Sequence, residues 1–586
     1  MKIFIFLAVL LFTACTAPPP LEPFEQVHPL EALHNAQLQF PKMSGLNNPN
    51  PPIEGGHFRH AIGADSPPPG VFNPIFQTAG VDWVFSNWFS GGSVLSLTPE
   101  NTIGQYGIAK WEKDKANQTI TLTMQEYVYW HDGVPLTLDD VVFAVEAIST
   151  PGYSAAGGMR FTYAIQNIVG VWDFHRGKVS YISGLVLSEC KRQLTFHFID
   201  FHPSLLHFGF WTIPYPRHIF GNVPIDLQAS HYHTRVRPIG WGPFIVTSTV
   251  PGESMRLVRN ENYWAGRPYL DEVTIQVVPQ AMVAALMAEG IFDMADFRLQ
   301  DFPDFKQPSN FHFLGDITNT FNFMAFNLGV WDGERVVPNE NARMACRYLR
   351  RALAYAVDET LLTLGFFDGL RFPATSIIPP GHGAFIDTNL SGFPFDVGRA
   401  EKLLDEAGWV VGHDGWRVFP DGSEFVLDFV VRTGDYWPII SQHYAQAWRD
   451  IGINVRIRQA EFNDIIANMY NTNNWPWDVH IAGWTTGANP NPNLIWGHTS
   501  ANRSRYINPS LEQHLKMFNS AYAWDMDWLV NHYHEWQQLF HYYAPAIPTN
   551  WRMSLTAVNN RVLDFYIGTP EDGVRSRGGR HHVRVS

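Results

Sequence analysis

Past its first residues the sequence has no run of 18 uncharged apolar residues, so it holds no segment able to span a bilayer of roughly 30 Å as a permanent helix. Cysteine is scarce, with 3 in 586 residues, and none stands in a CxxC pair or at zinc-ligand spacing. That excludes a disulfide-stapled scaffold and a structural zinc site. Charge is also sparse at 16%, and the formal net charge of −14 comes with no basic stripe, which excludes nucleic acid as a partner. The signatures of common catalytic sites are missing: GxSxG, HExxH, GxxxxGK[ST] and GxGxxG do not occur. The 24 histidines are scattered, and the pairs His57 with His60, His231 with His233 and His581 with His582 have no third ligand in view. No enzyme, no cofactor and no metal site are therefore expected.

What the chain does have is length and apolar content. Hydrophobic residues make up 45%, and 586 residues exceed what one compact core organises, so two or three lobes are expected. Aromatic residues are abundant, with 21 Trp, 21 Tyr and 42 Phe, more flat surface than a core alone requires. Lys2 followed by the apolar run Ile3 to Phe12 has the form of a secretory signal. Thr13-Ala14 before Cys15 resembles a lipobox, although Phe12 stands where Leu is usual, and Leu11 lies one residue earlier. Cys15 is the expected lipidation site and membrane attachment, residues 1–15 the signal, and Pro- and Asn-rich residues 16–52 a tether. Cys190 and Cys346 remain, and two buried free thiols are expected in preference to a disulfide.

Alternating residues mark strands at Ile120, Leu122 and Met124, at Phe425, Leu427 and Phe429, and at Ile453, Val455 and Ile457. Thr137 and Asp140 form a capping box ahead of Val141, Val142, Val145 and Ile148. Leu349, Leu353, Ala356, Val357, Leu361 and Leu364 recur at helical spacing, with Arg343, Arg347, Arg350, Arg351 and Asp358 on the other face. A third helix starts near Asp396 and is closed by Gly408. Strands and helices mix without internal repeats, so the class is α/β.

Five blocks in order resemble the family 5 extracellular solute-binding proteins. They are Trp130-His131-Asp132-Gly133-Val134-Pro135-Leu136-Thr137 with Asp140-Val141-Val142-Phe143; Gly240-Trp241-Gly242-Pro243-Phe244 with Arg259-Asn260-Glu261-Asn262-Tyr263-Trp264; Arg350 to Asp358 with Ile378-Pro379-Pro380-Gly381; Ala400 to Trp409; and Ile547-Pro548-Thr549 with Val558-Asn559-Asn560-Arg561-Val562. The last third, with Gly483-Trp484-Thr485-Thr486-Gly487 and Asn489-Pro490-Asn491-Pro492, is most similar to the large oligopeptide binders of Gram-positive type. The resemblance implies a two-lobed periplasmic-binding-protein-like fold (type II, cluster C) with an inserted subdomain. On that basis lobe I comprises residues 53–89, 234–319 and 549–586, the insertion 90–233, and lobe II 320–548. It also implies a monomer that takes an oligopeptide between its lobes and delivers it to an ABC transporter permease and ATPase, outside the cytoplasm. An oligosaccharide cargo, or a peptide sensor without transport, is the alternative.

Most of these blocks read as scaffold. Asp132-Gly133 suits a turn with positive φ, and Trp130 a core position. For ligand contact the resemblance points to Trp484, Thr486, Gly487, Asn489 and Asn327. In many peptide-binding relatives an Asp in the Gly-Trp loop pairs with the ligand's α-ammonium. Here that position falls on Asn489 or Gly487, and no Asp or Glu occurs between Asp478 and Glu512. Burying an ammonium without a counter-charge costs several kcal/mol, so this loop does not clamp a free N-terminus tightly.

Overall fold

The computed structural model describes residues 29–45, 50–65, 67–98, 102–158, 165–207, 209–332, 335–434, 436–471, 475–567 and 580–586. Cys15 and the signal segment lie outside them.

The organising element is an 11-stranded sheet in two halves. In one half, Asn454–Ala460, Val426–Arg432 and Val479–Thr485 run parallel to one another. In the other, Met294–Phe297, His57–Gly63 and Glu272–Val278 are parallel, followed by antiparallel Ser254–Arg259 and Phe244–Val250. Two long antiparallel strands, Phe311–Phe326 and Ala546–Asn559, join the halves. Their register shifts between Ile317 and Phe321, so the ladder is broken where the chain passes from one half to the other. Phe311–Ile317 pairs with Met553–Asn559 on one side of the break, and Phe321–Ala325 with Ala546–Trp551 on the other. Two strands with an irregular ladder at their middle make a hinge between two lobes.

The subdomain between these elements has its own four-stranded sheet, in which Thr119–Met124 is sandwiched by Ala109–Asp114 and Gln193–His197. It also has its own core, including Ile120, Leu122, Trp130, Val141, Val145, Leu194 and Phe196. Helix Leu138–Ser149 starts at the Thr137–Asp140 capping box. Trp130 is 3% exposed and Gly133 has φ +86°. Two of the sequence blocks meet here. His131 N–H donates to Gly240 O at 2.9 Å, and the His131 ring and Asn260 Nδ2 both bond Gly242 O. A Cβ on Gly240 or Gly242 would lie 2.0 or 2.6 Å from Phe89 O, so the close approach of these chains requires glycine. Similarly, Arg561 and Arg59 both grip the fully buried Asp293 at 2.7 and 3.2 Å. Burial pushes the Asp293 carboxyl up, but hydrogen bonds from Arg561 and Arg59 outweigh it and hold the carboxyl below its usual range.

Four expectations are corrected. Residues 29–39 are not tether: Pro29–Gln39 is a helix whose Leu33 and Ala36, with Phe40, enter the core. Gln37 bonds Gly315 O and the Ile317 N–H, so this helix braces the hinge strand. The helix expected across 349–364 is two, Arg347–Tyr355 and Glu359–Phe367, because the Asp358 carboxylate caps the Leu361 N–H and starts a new helix. Arg350 does not face solvent. It is 2% exposed and donates to the carbonyls of Tyr543 and Ala544, at the end of helix Met526–Tyr543, and of Met344 and Ala345. Cys190 and Cys346 are unpaired as expected, but neither is buried: Cys190 is exposed and Cys346 is half-buried.

Candidate functional site

The site lies at the hinge end of the second lobe. Strand Val479–Thr485 pairs antiparallel with Thr320–Phe326, Thr320 opposite Thr485 and Phe326 opposite Val479. The Thr486 N–H donates to Asn319 O at 3.0 Å and the Asn327 N–H to Asp478 O at 3.0 Å. These two bonds fix the phase of the ladder. Residues 480, 482 and 484 direct their backbone groups toward Thr320–Phe326, and 481, 483 and 485 direct theirs away. On that outer side, pairing with Val426–Arg432 ends at Val479 and His480. Gly483 and Thr485 thus present N–H and C=O to an edge on which no described strand pairs, and both are exposed. Gly483 is glycine for a local reason: a Cβ there would lie 2.8 Å from Asn322 Oδ1.

Behind the edge, the turn is stiffened by side chains. Asn319 Nδ2 donates to Gly487 O at 2.8 Å, and the His382 ring bonds Thr486 Oγ1 at 2.5 Å. Burial, and then its neighbour His207, pull the His382 imidazole down to about 4, so it is neutral at ordinary pH. Asn489 Oδ1 accepts from the Asn491 N–H at 3.0 Å, an Asx turn that sets the Asn-Pro-Asn-Pro segment. Trp484 is half-buried and lines a small pocket with Phe321, Ile378 and Trp496, and its indole N–H has no partner among the described residues. A donor held without an acceptor in a closed fold is positioned for a ligand or a water. Across the gap, Ser204 of the inserted subdomain accepts from Asn491 Nδ2 at 2.7 Å, and His207 faces Phe385 at 6.5 Å. In the first lobe a cavity of about 280 Å³ is lined by Trp83, Tyr106, Trp241, Tyr263 and Trp264.

Trp484, Thr486, Gly487 and Asn489 therefore come together on one strand end and its turn. Asn327 does not join them. It sits at the far end of the same ladder, a full strand length or roughly 20 Å away. There its side chain donates to Trp477 O at 3.0 Å and borders a separate groove of about 630 Å³ with Arg343 and Asp478. The resemblance pointed to Asn327 without showing which end of its strand lies beside Trp484. Thr485, Asn319 and His382 were missed. Only the polar Thr-Thr pair after Trp484 hinted that this strand stays open at its end.

Comparison with known proteins agrees with this architecture. Residues 107–506 match the family described as bacterial extracellular solute-binding proteins, family 5 Middle. The oligopeptide-binding protein OppA of Lactococcus lactis subsp. cremoris is 28% identical over 475 residues, 78% of each chain. AppA of Bacillus subtilis, also an oligopeptide-binding protein, is 25% identical over 431 residues, 72% of this chain and 73% of its own. Among solved structures, lactococcal OppA complexed with an endogenous peptide in the closed conformation has a TM-score of 0.80 at 26% identity, covering 88% of this chain and 98% of that one.

Proposed function

The chain belongs to the family 5 bacterial extracellular solute-binding proteins, a family of binding proteins and not of enzymes, and from that membership we propose that it captures oligopeptides in the cleft between its lobes and hands them to the permease and ATPase of an ABC importer. The observation that carries the peptide reading is the open edge at Gly483 and Thr485. An extended peptide laid there gains main-chain hydrogen bonds whatever its sequence, as in strand addition to a sheet edge. Trp484 then offers an indole face and a free N–H, Thr486, Gly487 and Asn489 offer a polar turn, and the aromatic cavity near Trp83 and Trp241 accepts an apolar side chain. Water in such a cleft adapts to different side chains, a physical route to broad specificity.

The turn carries no carboxylate, so this reading favours cargo held along its backbone and not by a clamped α-ammonium. The proposal includes the lobe boundaries near 319–320 and 548–549, the insertion at 90–233, a monomeric chain, and a lipid on Cys15 that tethers it outside the cytoplasm. Calorimetry of the mature chain against unmodified peptides of increasing length, beside a matched panel of oligosaccharides, tests it. Saturable binding of peptides alone is expected. Binding of sugars alone would replace the peptide reading with a carbohydrate one.

A further inference from the structure

We propose that Trp524 is the tongue of an interlobe clasp that holds the cleft shut and sets how fast cargo leaves. This rests on the peptide-capture reading for what is released, but not for the clasp itself.

Trp524 ends the turn Ala521–Trp524 of the second lobe, yet it packs on the hydrophobic core of the inserted subdomain. Its ring stacks on Phe201, with centroids 5.2 Å apart and planes at 28°, and its indole N–H donates to Phe201 O at 3.1 Å. On the same ring sit two cations of the subdomain's outer hairpin, Lys113 Nζ at 4.8 Å and Lys115 Nζ at 4.6 Å from the centroid. Among aromatic rings the indole binds an ammonium best. Two ammonium groups that repel one another are held together by sharing it, and desolvation and then Lys115 lower the Lys113 pKa.

The clasp has a second point. Asn491 Nδ2 bonds Ser204 Oγ at 2.7 Å and Asn519 Oδ1 at 2.8 Å. Ser204 lies three residues beyond Phe201, and Asn519 five before Trp524, so the two points are tied by short chain on both lobes. Asn491 is also the residue whose N–H the candidate ligand-binding Asn489 accepts. The Asn489 turn that meets cargo is therefore two residues from a crosslink to the opposite lobe. Displacing that turn loosens the Ser204 bond, and seating it against a ligand makes the bond. The joining strands at Ile317 to Phe321 supply the motion, and this clasp supplies the stop.

The test uses the mature full-length chain unsubstituted, with Trp524→Ala, and with the paired Lys113→Gln and Lys115→Gln changes. The two lysines are exposed, so the paired variant leaves the fold intact even if removing the indole does not. Small-angle scattering of each protein after bound peptide has been stripped reports closure without reference to any cargo. A fluorescein-labelled nonapeptide in stopped flow reports release. The wild type scatters as the closed form, and both variants expand. Nonapeptide dissociation accelerates about tenfold or more in Trp524→Ala and less in the lysine pair, with association changed little. Scattering profiles of all three proteins that superimpose overturn the clasp, whether or not the nonapeptide binds. Expanded variants whose dissociation matches wild type overturn its control of release. A nonapeptide that fails to bind wild type, with the variants expanded, refutes the peptide reading and leaves the clasp standing.

Discussion

Replacing Thr485 with proline removes one N–H from the open edge and leaves the ladder to Thr320–Phe326 in place, because Thr485 directs its backbone away from that strand. Proline is tolerated at a sheet edge when its missing donor faced outward. The preceding Trp484 is already extended, as a residue before proline prefers. If an extended peptide pairs here, one of its carbonyls is left buried without a donor. That costs about 1–3 kcal/mol, or about 5- to 150-fold in affinity. The substitution also removes the bond between Thr485 Oγ1 and Thr320 Oγ1 at 2.8 Å, so Thr485→Val is the control: it loses the hydroxyl and keeps the N–H. Calorimetry on peptide-stripped protein, with one unmodified peptide, compares the three. The expected order is wild type close to Thr485→Val, with Thr485→Pro clearly weaker and its unfolding midpoint near that of the valine variant. Equal affinity of the proline and valine variants refutes the strand-addition reading, because the only donor that differs between them would then be idle.

Asn489→Asp keeps the oxygen that accepts from the Asn491 N–H and adds a charge to a half-buried turn. It should tighten a free-amine peptide by about 1 kcal/mol relative to its acetylated twin, and an equal response of both twins would show that the ligand N-terminus lies elsewhere. Removing Arg561, by Arg561→Met, leaves the buried Asp293 with Arg59 alone and should cost about 3 kcal/mol of stability in urea unfolding. A loss below about 1 kcal/mol would contradict the structural weight given to that pair. Five buried or half-buried histidines, His60 at about 3 and His131, His202, His382 and His480 at about 4, stay neutral in the fold because desolvation disfavours their charge. The unfolded chain binds these protons below its ordinary value of about 6.5, so their contribution is full above that pH and is lost as pH falls toward 4, by about 2 kcal/mol per histidine at pH 5. Burial raises Glu359 to about 7 and Asp478 to about 6, which acts in the opposite direction over the same range. The histidines outnumber them, so urea unfolding should show lower stability at pH 5 than at pH 7, and the reverse order would contradict this balance.

Local signals were legible wherever local chemistry decides the outcome. The capping box at Thr137, the Asp396 cap and Gly408 with φ +80° follow from side chains within a few residues of one another. The blocks at Trp130 and Gly240 were visible as patterns, but that they clasp each other through His131 depends on a contact between residues 109 apart in the chain. The hinge brace Pro29–Gln39 was missed because its burying residues are few and Leu38 on the same helix is 73% exposed, which blurs the periodicity. Arg350 was misplaced for a related reason. Charge at helical spacing reads as a solvated face, and only the folded chain brings the carbonyls of Tyr543 and Ala544 to it. At the site, Trp484 and its turn were readable from the resemblance, while the open edge was not, because an unpaired edge is a property of strand order. Asn327 lies at the opposite end of the ladder from Trp484, a separation that the resemblance did not reveal because it depends on how the strands pair.

A cleft that holds peptide keeps it through mild purification. Native mass spectrometry of the mature chain, purified gently and without refolding, tests this most directly. A spread of added masses that fragment into amino-acid ladders is expected, and added masses in single-hexose increments would contradict peptide capture.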